Sequence, residues 1–219
     1  YYKITVIEDV AEAMFSRLNN KLAGTFGHFN SFSFQTTKTV TTGEGGCILT
    51  NNDEMAEKMR LVRSHGMGVK KYWHHERGNN FRLSNLLASI GYAQLEHVEQ
   101  NISSRVNTYQ NYLNIFQNVD ELKIQKINRH INPVMWAFPI LIDQNFSNLS
   151  RDEIIENLAE KGIETRPGFY TFEQMRLYNA PMLKNSDYLA KNIICLPFYP
   201  DLSQNEIEYI HREVLKLKR

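Results

Sequence analysis

The stretch Ser31-Phe-Ser-Phe-Gln-Thr-Thr-Lys38-Thr-Val-Thr-Thr-Gly43-Glu44-Gly45-Gly46, continued by Cys47-Ile-Leu-Thr50, decides how the chain is read. Phe29 to Phe34 has the alternation of a strand, Gly43 to Gly46 reads as a tight turn, and Cys47 to Thr50 as a second strand. Upstream, the alternation that starts at Tyr1 places another strand over Lys3–Ile7, with Asp9 just beyond its end. Downstream, the spacing predicts a helix over Asp53–Ser64. Asn52 or Asp53 caps it, Glu54 sits in its first turn, and Met55, Met59 and Val62 recur at helical spacing. Arg60 and Arg63 face the negative end of its dipole, and Gly66 stops it. Strands alternating with loops and helices indicate a layered α/β sheet.

Nine of the eleven glycines fall before residue 92 and all six prolines at or after Pro133, so the chain reads as two structural regimes. A helix is expected from Ser84 to about Phe116, striped by Leu83, Leu86, Leu87, Ile90 and Ala93. The small residues Ala88, Ser89 and Gly91 allow close packing. A helix of that length can bridge two domains, so residues 1–100 are assigned to one and 101–219 to the other. The second regime predicts a strand over Met135–Ile142, a helix over Ser150–Lys161 ending at Gly162, a strand over Ile163–Arg166 and a helix over Ser203–Lys218. Both helices open with a capping box, Ser150-x-x-Glu153 and Ser203-x-x-Glu206. The stripe Ile207, Ile210, Val214, Leu217 is a core face.

Composition narrows the function classes. Lysine plus arginine number 25 against 24 acidic residues in 219, a formal net charge of +1, and no polybasic block argues for nucleic acid or a membrane surface. The apolar run from Val134 to Ile142 is too short to span a bilayer. Cys47 and Cys195 are the two cysteines, too far apart in sequence for a zinc or redox spacing. They are expected to be buried thiols in a reducing cytoplasm, with no metal site. No secretory leader pattern opens the chain, and the strand at its first residue reads as the middle of a longer protein.

The chemistry gathers around Lys38. A lone lysine among threonines is ordinarily a solvated strand residue. The Gly-x-Gly-Gly turn five residues on, and Asp9 at the carboxyl end of an apolar strand, change that reading, because open α/β sheets bind ligands at the carboxyl ends of their strands. Taken alone, Asp9 is a capping acid, and alternation turns Glu8 to the opposite face.

Ile7-Glu-Asp9-Val-Ala11-Glu12-Ala, Ala23-Gly-Thr-Phe-Gly27, Ser33-Phe-x-x-x-Lys38, Gly43-Glu-Gly-Gly46, Arg63-Ser-His-Gly66 and Asn80-Phe-Arg82-Leu-Ser-Asn85 follow one another in a fixed order. That ordered set resembles the sugar aminotransferases of the DegT/DnrJ/EryC1/StrS family. Tyr72-Trp-His74 and Ile163-Glu-Thr-Arg-Pro-Gly-Phe-Tyr170 further resemble its perosamine synthase branch, which aminates a GDP-linked 4-keto-6-deoxy sugar. The resemblance implies part of the mixed, mostly parallel sheet of a fold type I transferase large domain, followed by a smaller α+β domain.

By the same resemblance, Lys38 holds pyridoxal 5′-phosphate (PLP) as a Schiff base and shuttles a proton, and Asp9 pairs with the pyridine nitrogen. Glu12 lies near the ring hydroxyl and Ser33 on the phosphate. Asn80 and Arg82 belong to a loop that reaches the phosphate region of a second subunit, which implies a homodimer. The aromatic and basic cluster Tyr72, Trp73, His74 and His75 suits a nucleotide-linked keto sugar, Arg166 suits bidentate phosphate or carboxylate contacts, Tyr170 closes the second motif of the resemblance, and glutamate is the implied amino donor. Asn79 stands where relatives carry tyrosine, and Thr171 where they carry proline. A sugar dehydratase of the same fold would carry histidine in place of Lys38. The alternative from another class is an inactive fragment that serves only as a dimerisation or interaction module.

Overall fold

The strand before the Lys38 loop has a parallel neighbour in the computed structural model, which describes residues 3–175, 179 and 181–219. That neighbour is β1 (Ile7–Asp9), followed by the short hairpin strands β2 (Arg17–Leu18) and β3 (Lys21–Leu22), and then β4 (Phe29–Ser33) and β5 (Gly46–Leu49). β1 pairs parallel with β4, Ile7 with Phe29 through Asp9 with Ser31, and β4 pairs antiparallel with β5. The first strand therefore lies later than the expected Lys3–Ile7. It is laddered only where it meets β4, and just before it Val6 exchanges bonds with His28, N–H to Nδ1 and carbonyl to N–H. Tyr1, where the expected alternation begins, lies outside the described residues.

Helix α1 (Asp53–Arg63) forms as its sequence dictates, with the Asn52 side chain accepting from the Met55 N–H and Arg60 and Arg63 in the last turn. The single helix expected from Ser84 to about Phe116 is instead two, α2 (Asn85–Glu96), capped by Ser84, and α3 (Val98–Phe116). His97 separates them. At φ −111° and ψ 17° it leaves helical geometry, and its N–H turns back to the Gln94 and Leu95 carbonyls.

The remaining elements are β6 (Lys123–Ile124), β7 (Ile131–Asn132), β8 (Phe138–Leu141), α4 (Arg151–Ala159), β9 (Arg166–Pro167), α5 (Phe172–Met175), α6 (Lys184–Asn192), β10 (Ile193–Leu196) and α7 (Gln204–Leu215). Both expected capping boxes form, Ser150 with Glu153 and Ser203 with Glu206. The strand expected over Ile163–Arg166 is laddered only at Arg166–Pro167, against Cys195 and Ile194, although Ile163 and Thr165 are buried. Cys47 and Cys195 are half-buried rather than buried, and burial pushes the Cys47 thiol up.

The chain divides into two units, Tyr1–Ile102 with Arg129–Trp136, and Ser103–Asn128 with Ala137–Arg219. The return of residues 129–136 to the first unit is not contained in a simple two-part reading of the sequence. β7 carries that return by pairing with β2. The second unit is built on the antiparallel order β6-β8-β10-β9. Its core joins Tyr112 and Phe116 of α3, Phe138 and Ile140 of β8, Ile154 and Leu158 of α4, and Ile207, Ile210 and Val214 of α7. Tyr112 stacks on Phe138 with centroids 4.6 Å apart, and its hydroxyl donates to the Pro197 carbonyl at 2.7 Å.

Candidate active site around Lys38

The loop that carries Lys38 is stapled at its base. Gln35 bridges Gly43, and the Phe34 carbonyl accepts from the Thr42 N–H and the Thr41 hydroxyl, each at 2.9 Å. The Phe34 N–H donates to the Gly45 carbonyl at 2.9 Å. Gly45 sits at φ +131°, and a Cβ there would meet Leu83 Cδ1 at 2.7 Å, so the turn needs glycine. Helix α2 buttresses the loop. Gln94 Oε1 accepts from the Thr41 N–H at 3.0 Å, and Gly91 lies so close to buried Thr42 that a Cβ would come within 2.7 Å of its methyl. The Gly43–Gly46 turn thus positions a lysine loop rather than cradling a phosphate at a helix N-terminus.

Within this frame the Lys38 side chain is 12% exposed. Its Nζ lies 3.2 Å from Glu12 Oε1 and 4.4 Å from the centroid of the Trp136 ring. Three separate stretches therefore meet at the amine: the turn after β1, the loop after β4 and the returning segment 129–136. Asp9 ends β1 with an exposed carboxylate whose Oδ1 accepts from the Ala11 N–H at 3.1 Å, the capping geometry open to it from sequence. Ser33 ends the parallel neighbour β4, and its Oγ accepts from the Gln35 N–H at 3.3 Å. Asp9 and Ser33 thus stand at the carboxyl ends of two paired parallel strands, on the side from which the lysine loop leaves.

Glu8 faces away from this cluster. Its carboxylate accepts from the N–H groups of Gly24 at 2.8 Å and of Phe26 and Gly27 at 2.5 Å. Desolvation pushes that carboxyl up, but the three backbone donors and nearby Lys21 outweigh it and leave it below the usual range. It fastens the loop after β3 to the sheet.

The loop with His74, Asn80 and Arg82 lies along the end of α1. Ser64 bridges Asn80, the Phe81 N–H donates to the Arg63 carbonyl, and Arg82 Nε donates to Asn80 Oδ1 at 3.1 Å. His74 Nδ1 donates to the His65 carbonyl at 2.7 Å, since a carbonyl only accepts. The neighbouring Tyr72 and Trp73 are exposed, each with a lysine over its ring. Arg166 and Tyr170 belong to the second unit, where Arg151 donates to the Tyr170 hydroxyl at 3.1 Å and its guanidinium lies 5.0 Å from the ring centroid. Thr171 and Gln174 cap α5 reciprocally: the Thr171 N–H donates to Gln174 Oε1 and the Gln174 N–H to Thr171 Oγ1. A proline at residue 171 could not make the first of these bonds.

The structure therefore brings Lys38 and Glu12 together and places Asp9 and Ser33 at adjoining strand ends. Trp136, Gln94 and Arg151 were not singled out from the sequence. Trp136 lies 98 positions from Lys38 inside an apolar run, where nothing local marks it. The T-x-x-Q signal at Thr171 was readable as a cap. Among the described residues, no group of three or more His, Cys, Asp or Glu side chains could hold a metal, and no helix is long and apolar enough to cross a membrane.

A sheltered primary amine between a carboxylate and an indole face, beyond the carboxyl ends of parallel strands, defines an α/β protein with a lysine-centred site suited to carbonyl chemistry. The chain belongs to the DegT/DnrJ/EryC1/StrS aminotransferase family, which residues 1–215 match. It is 36% identical over 209 residues to GDP-perosamine synthase of Escherichia coli O157:H7, covering 94% of this chain and 56% of that one. Helicobacter pylori PseC, an aminotransferase involved in the biosynthesis of pseudoaminic acid, superposes with a TM-score of 0.88 at 28% identity, over 98% of this chain and 60% of PseC. The E. coli GDP-4-keto-6-deoxy-D-mannose-3-dehydratase with bound hydrated PLP superposes with a TM-score of 0.85 at 26% identity, over 97% of this chain and 61% of that one. The chain thus spans less than two thirds of the length of each of these three proteins.

Proposed function

We propose that the protein carrying this chain is a PLP-dependent aminotransferase that delivers an amino group from glutamate to a nucleotide-linked 4-keto-6-deoxy sugar, in the manner of the perosamine synthases. In this reading it works as a cytoplasmic homodimer in surface polysaccharide biosynthesis. The observation that carries the reading is the Lys38 amine, 12% exposed and set 3.2 Å from Glu12 on a loop stapled at both ends. The residues present fit PLP: a sheltered primary amine can bond an aldehyde, an acid at a strand end can hold a ring nitrogen's proton, and Ser33 offers a hydroxyl nearby.

When bound, PLP supplies the aldehyde that receives the amine and a ring that withdraws electrons from the reacting carbon. Lys38 would hold it covalently through Nζ and, as a free amine, would move a proton off and onto the reacting carbon. Asp9 would hold the proton on the ring nitrogen, and its negative charge would serve both directions of the transfer. Glu12 would orient the ring through its hydroxyl, and Ser33 would offer its hydroxyl to the phosphate. Asn80 and Arg82 reach the phosphate region of the other subunit. His74, Arg166 and Tyr170 contact the nucleotide-sugar, with Arg166 suited to bidentate phosphate recognition.

The shared fold with a solved dehydratase does not choose between amination and dehydration, whereas an amine at residue 38 favours amination. Supplying the protein with glutamate and GDP-4-keto-6-deoxymannose tests this. The expected product is the 4-amino sugar nucleotide, detected by mass spectrometry and absent with Lys38→Ala. A product that has lost oxygen without gaining nitrogen would overturn the assignment.

A further inference from the structure

Trp136 has no task in the reading above, yet its ring is held from two directions. Its indole N–H donates to the Thr37 carbonyl at 3.2 Å and lies 3.4 Å from the Thr37 hydroxyl. Thr37 is itself tied to Gln35, whose Oε1 accepts from the Thr37 N–H at 2.9 Å and from its hydroxyl at 2.8 Å. The ring is thus fastened to the residue preceding Lys38. From its own backbone it is fixed by the returning segment: the Asn19 N–H donates to the His130 carbonyl at 2.8 Å, β7 pairs with β2, and the N–H of buried Val134 donates to Ser16 Oγ at 2.9 Å.

The Lys38 amine lies 4.4 Å from the centroid of this anchored ring, with the Glu12 carboxylate at 3.2 Å. A tryptophan face is the strongest aromatic partner for a cation, and a carboxylate alone on an exposed turn does not fix the long lysine side chain in one place. A ring held at both its N–H and its backbone does, because its own freedom is already spent.

We propose that Trp136 is a positioning residue for Lys38: its indole face sets where the unbonded amine rests, so that the amine meets the cofactor aldehyde from one defined place. This rests on the proposed PLP chemistry of Lys38. In the capture step the Lys38 ammonium first gives up one proton to solvent; a bond then forms between its Nζ and the aldehyde carbon, and the carbonyl oxygen leaves as water with the nitrogen's two remaining hydrogens. Trp136 touches none of the reacting atoms, so its effect falls on the rate at which that bond forms. The indole tether and the aromatic face contribute separately. Phenylalanine keeps the face and loses the tether, whereas leucine loses both.

The test measures the rate at which cofactor-free protein captures PLP, followed by visible absorbance and normalised to folded protein, with thermal midpoints measured alongside. Trp136→Leu is expected to slow capture about tenfold or more and Trp136→Phe by a smaller factor. In both variants the borohydride-fixed adduct stays on Lys38. A purely structural role would lower the midpoint and leave the rate per folded molecule unchanged, and that result overturns the proposal. If the leucine variant does not fold, a phenylalanine variant that captures at the wild-type rate overturns it equally. Failure of the wild-type protein to form any adduct on Lys38 overturns the PLP reading together with this inference, and so is distinguishable from a failure of Trp136 alone.

Discussion

Glu12 and Lys38 meet at 3.2 Å although 26 residues separate them, because β1 and β4 run parallel and side by side, and both residues lie just past their carboxyl ends. The pair is asymmetric, with the lysine side chain 12% exposed and the glutamate 44%. An ion pair open to water on one side contributes about 0–1 kcal/mol to stability. Glu12→Ala should therefore shift chemical denaturation by no more than that, while cofactor retention after dialysis falls severalfold. A loss of stability well above that range, with retention unchanged, would make Glu12 a structural residue instead.

The loop bearing Asn80 and Arg82 depends on Gly66. It sits at φ +69°, and a Cβ there would fall 1.8 Å from the Glu76 carbonyl oxygen. Gly66→Ala combines backbone strain with a clash against backbone, so a loss of more than about 1 kcal/mol is expected. Chemical denaturation measures it. Limited proteolysis should show earlier cleavage between residues 66 and 82, and an unchanged digestion pattern would count against the tight packing of this loop.

In the second unit the core is organised around Phe138, fully buried against Tyr112, Phe116 and Tyr109. Phe138→Ala removes the ring that all three share, at an expected cost of about 3–5 kcal/mol. Urea unfolding followed by tyrosine fluorescence reads this directly.

Asp143 and His211 of the second unit each make stability depend on pH, in different windows. The Tyr188 hydroxyl is the chief cause that holds the Asp143 carboxyl down at about 2; burial opposes it, and the Asn145 N–H and Lys123 assist. A carboxyl lowered by folding stabilises fully above its unfolded value of about 3.9, and that contribution is lost as pH falls toward the folded one. Asp143→Asn should make the loss of stability in that acid window shallower, as measured by urea titrations across the range.

Burial lowers His211, whose ring sits edge-on to Phe116 with centroids 4.9 Å apart. Folding favours the neutral imidazole, so stability is full above the unfolded value of about 6.5 and declines as pH falls below it. His211→Phe should remove that decline and leave the Asp143 window intact, as measured by urea titrations across the range.

Much of this architecture was legible because local physics determined it. Asn52, Ser150 and Ser203 announce their helices by capping chemistry, and Ile207, Ile210 and Val214 announce a buried face by spacing alone. The collinear motifs from Ile7 to Asn85 carry the resemblance that names Lys38 and Asp9. What stayed hidden is non-local. The two-residue strands β2, β3 and β7 are too short to carry a period, and Trp136 becomes a neighbour of Lys38 only because β7 pairs with β2. The helix break at His97 has no glycine or proline to mark it. β10 lies between β8 and β9 at the centre of its sheet and follows directly on α6, so helical and strand patterns run together without a turn signal.

The central claim is that the Lys38 amine bonds the PLP aldehyde. Reducing the cofactor-loaded protein with borohydride, digesting it and sequencing the peptides by mass spectrometry tests this most directly. A pyridoxyl-phosphate adduct on Lys38, lost in Lys38→Ala, is the predicted result. An unmodified Lys38 peptide from protein that nonetheless retains cofactor, or an adduct confined to another lysine, would contradict it.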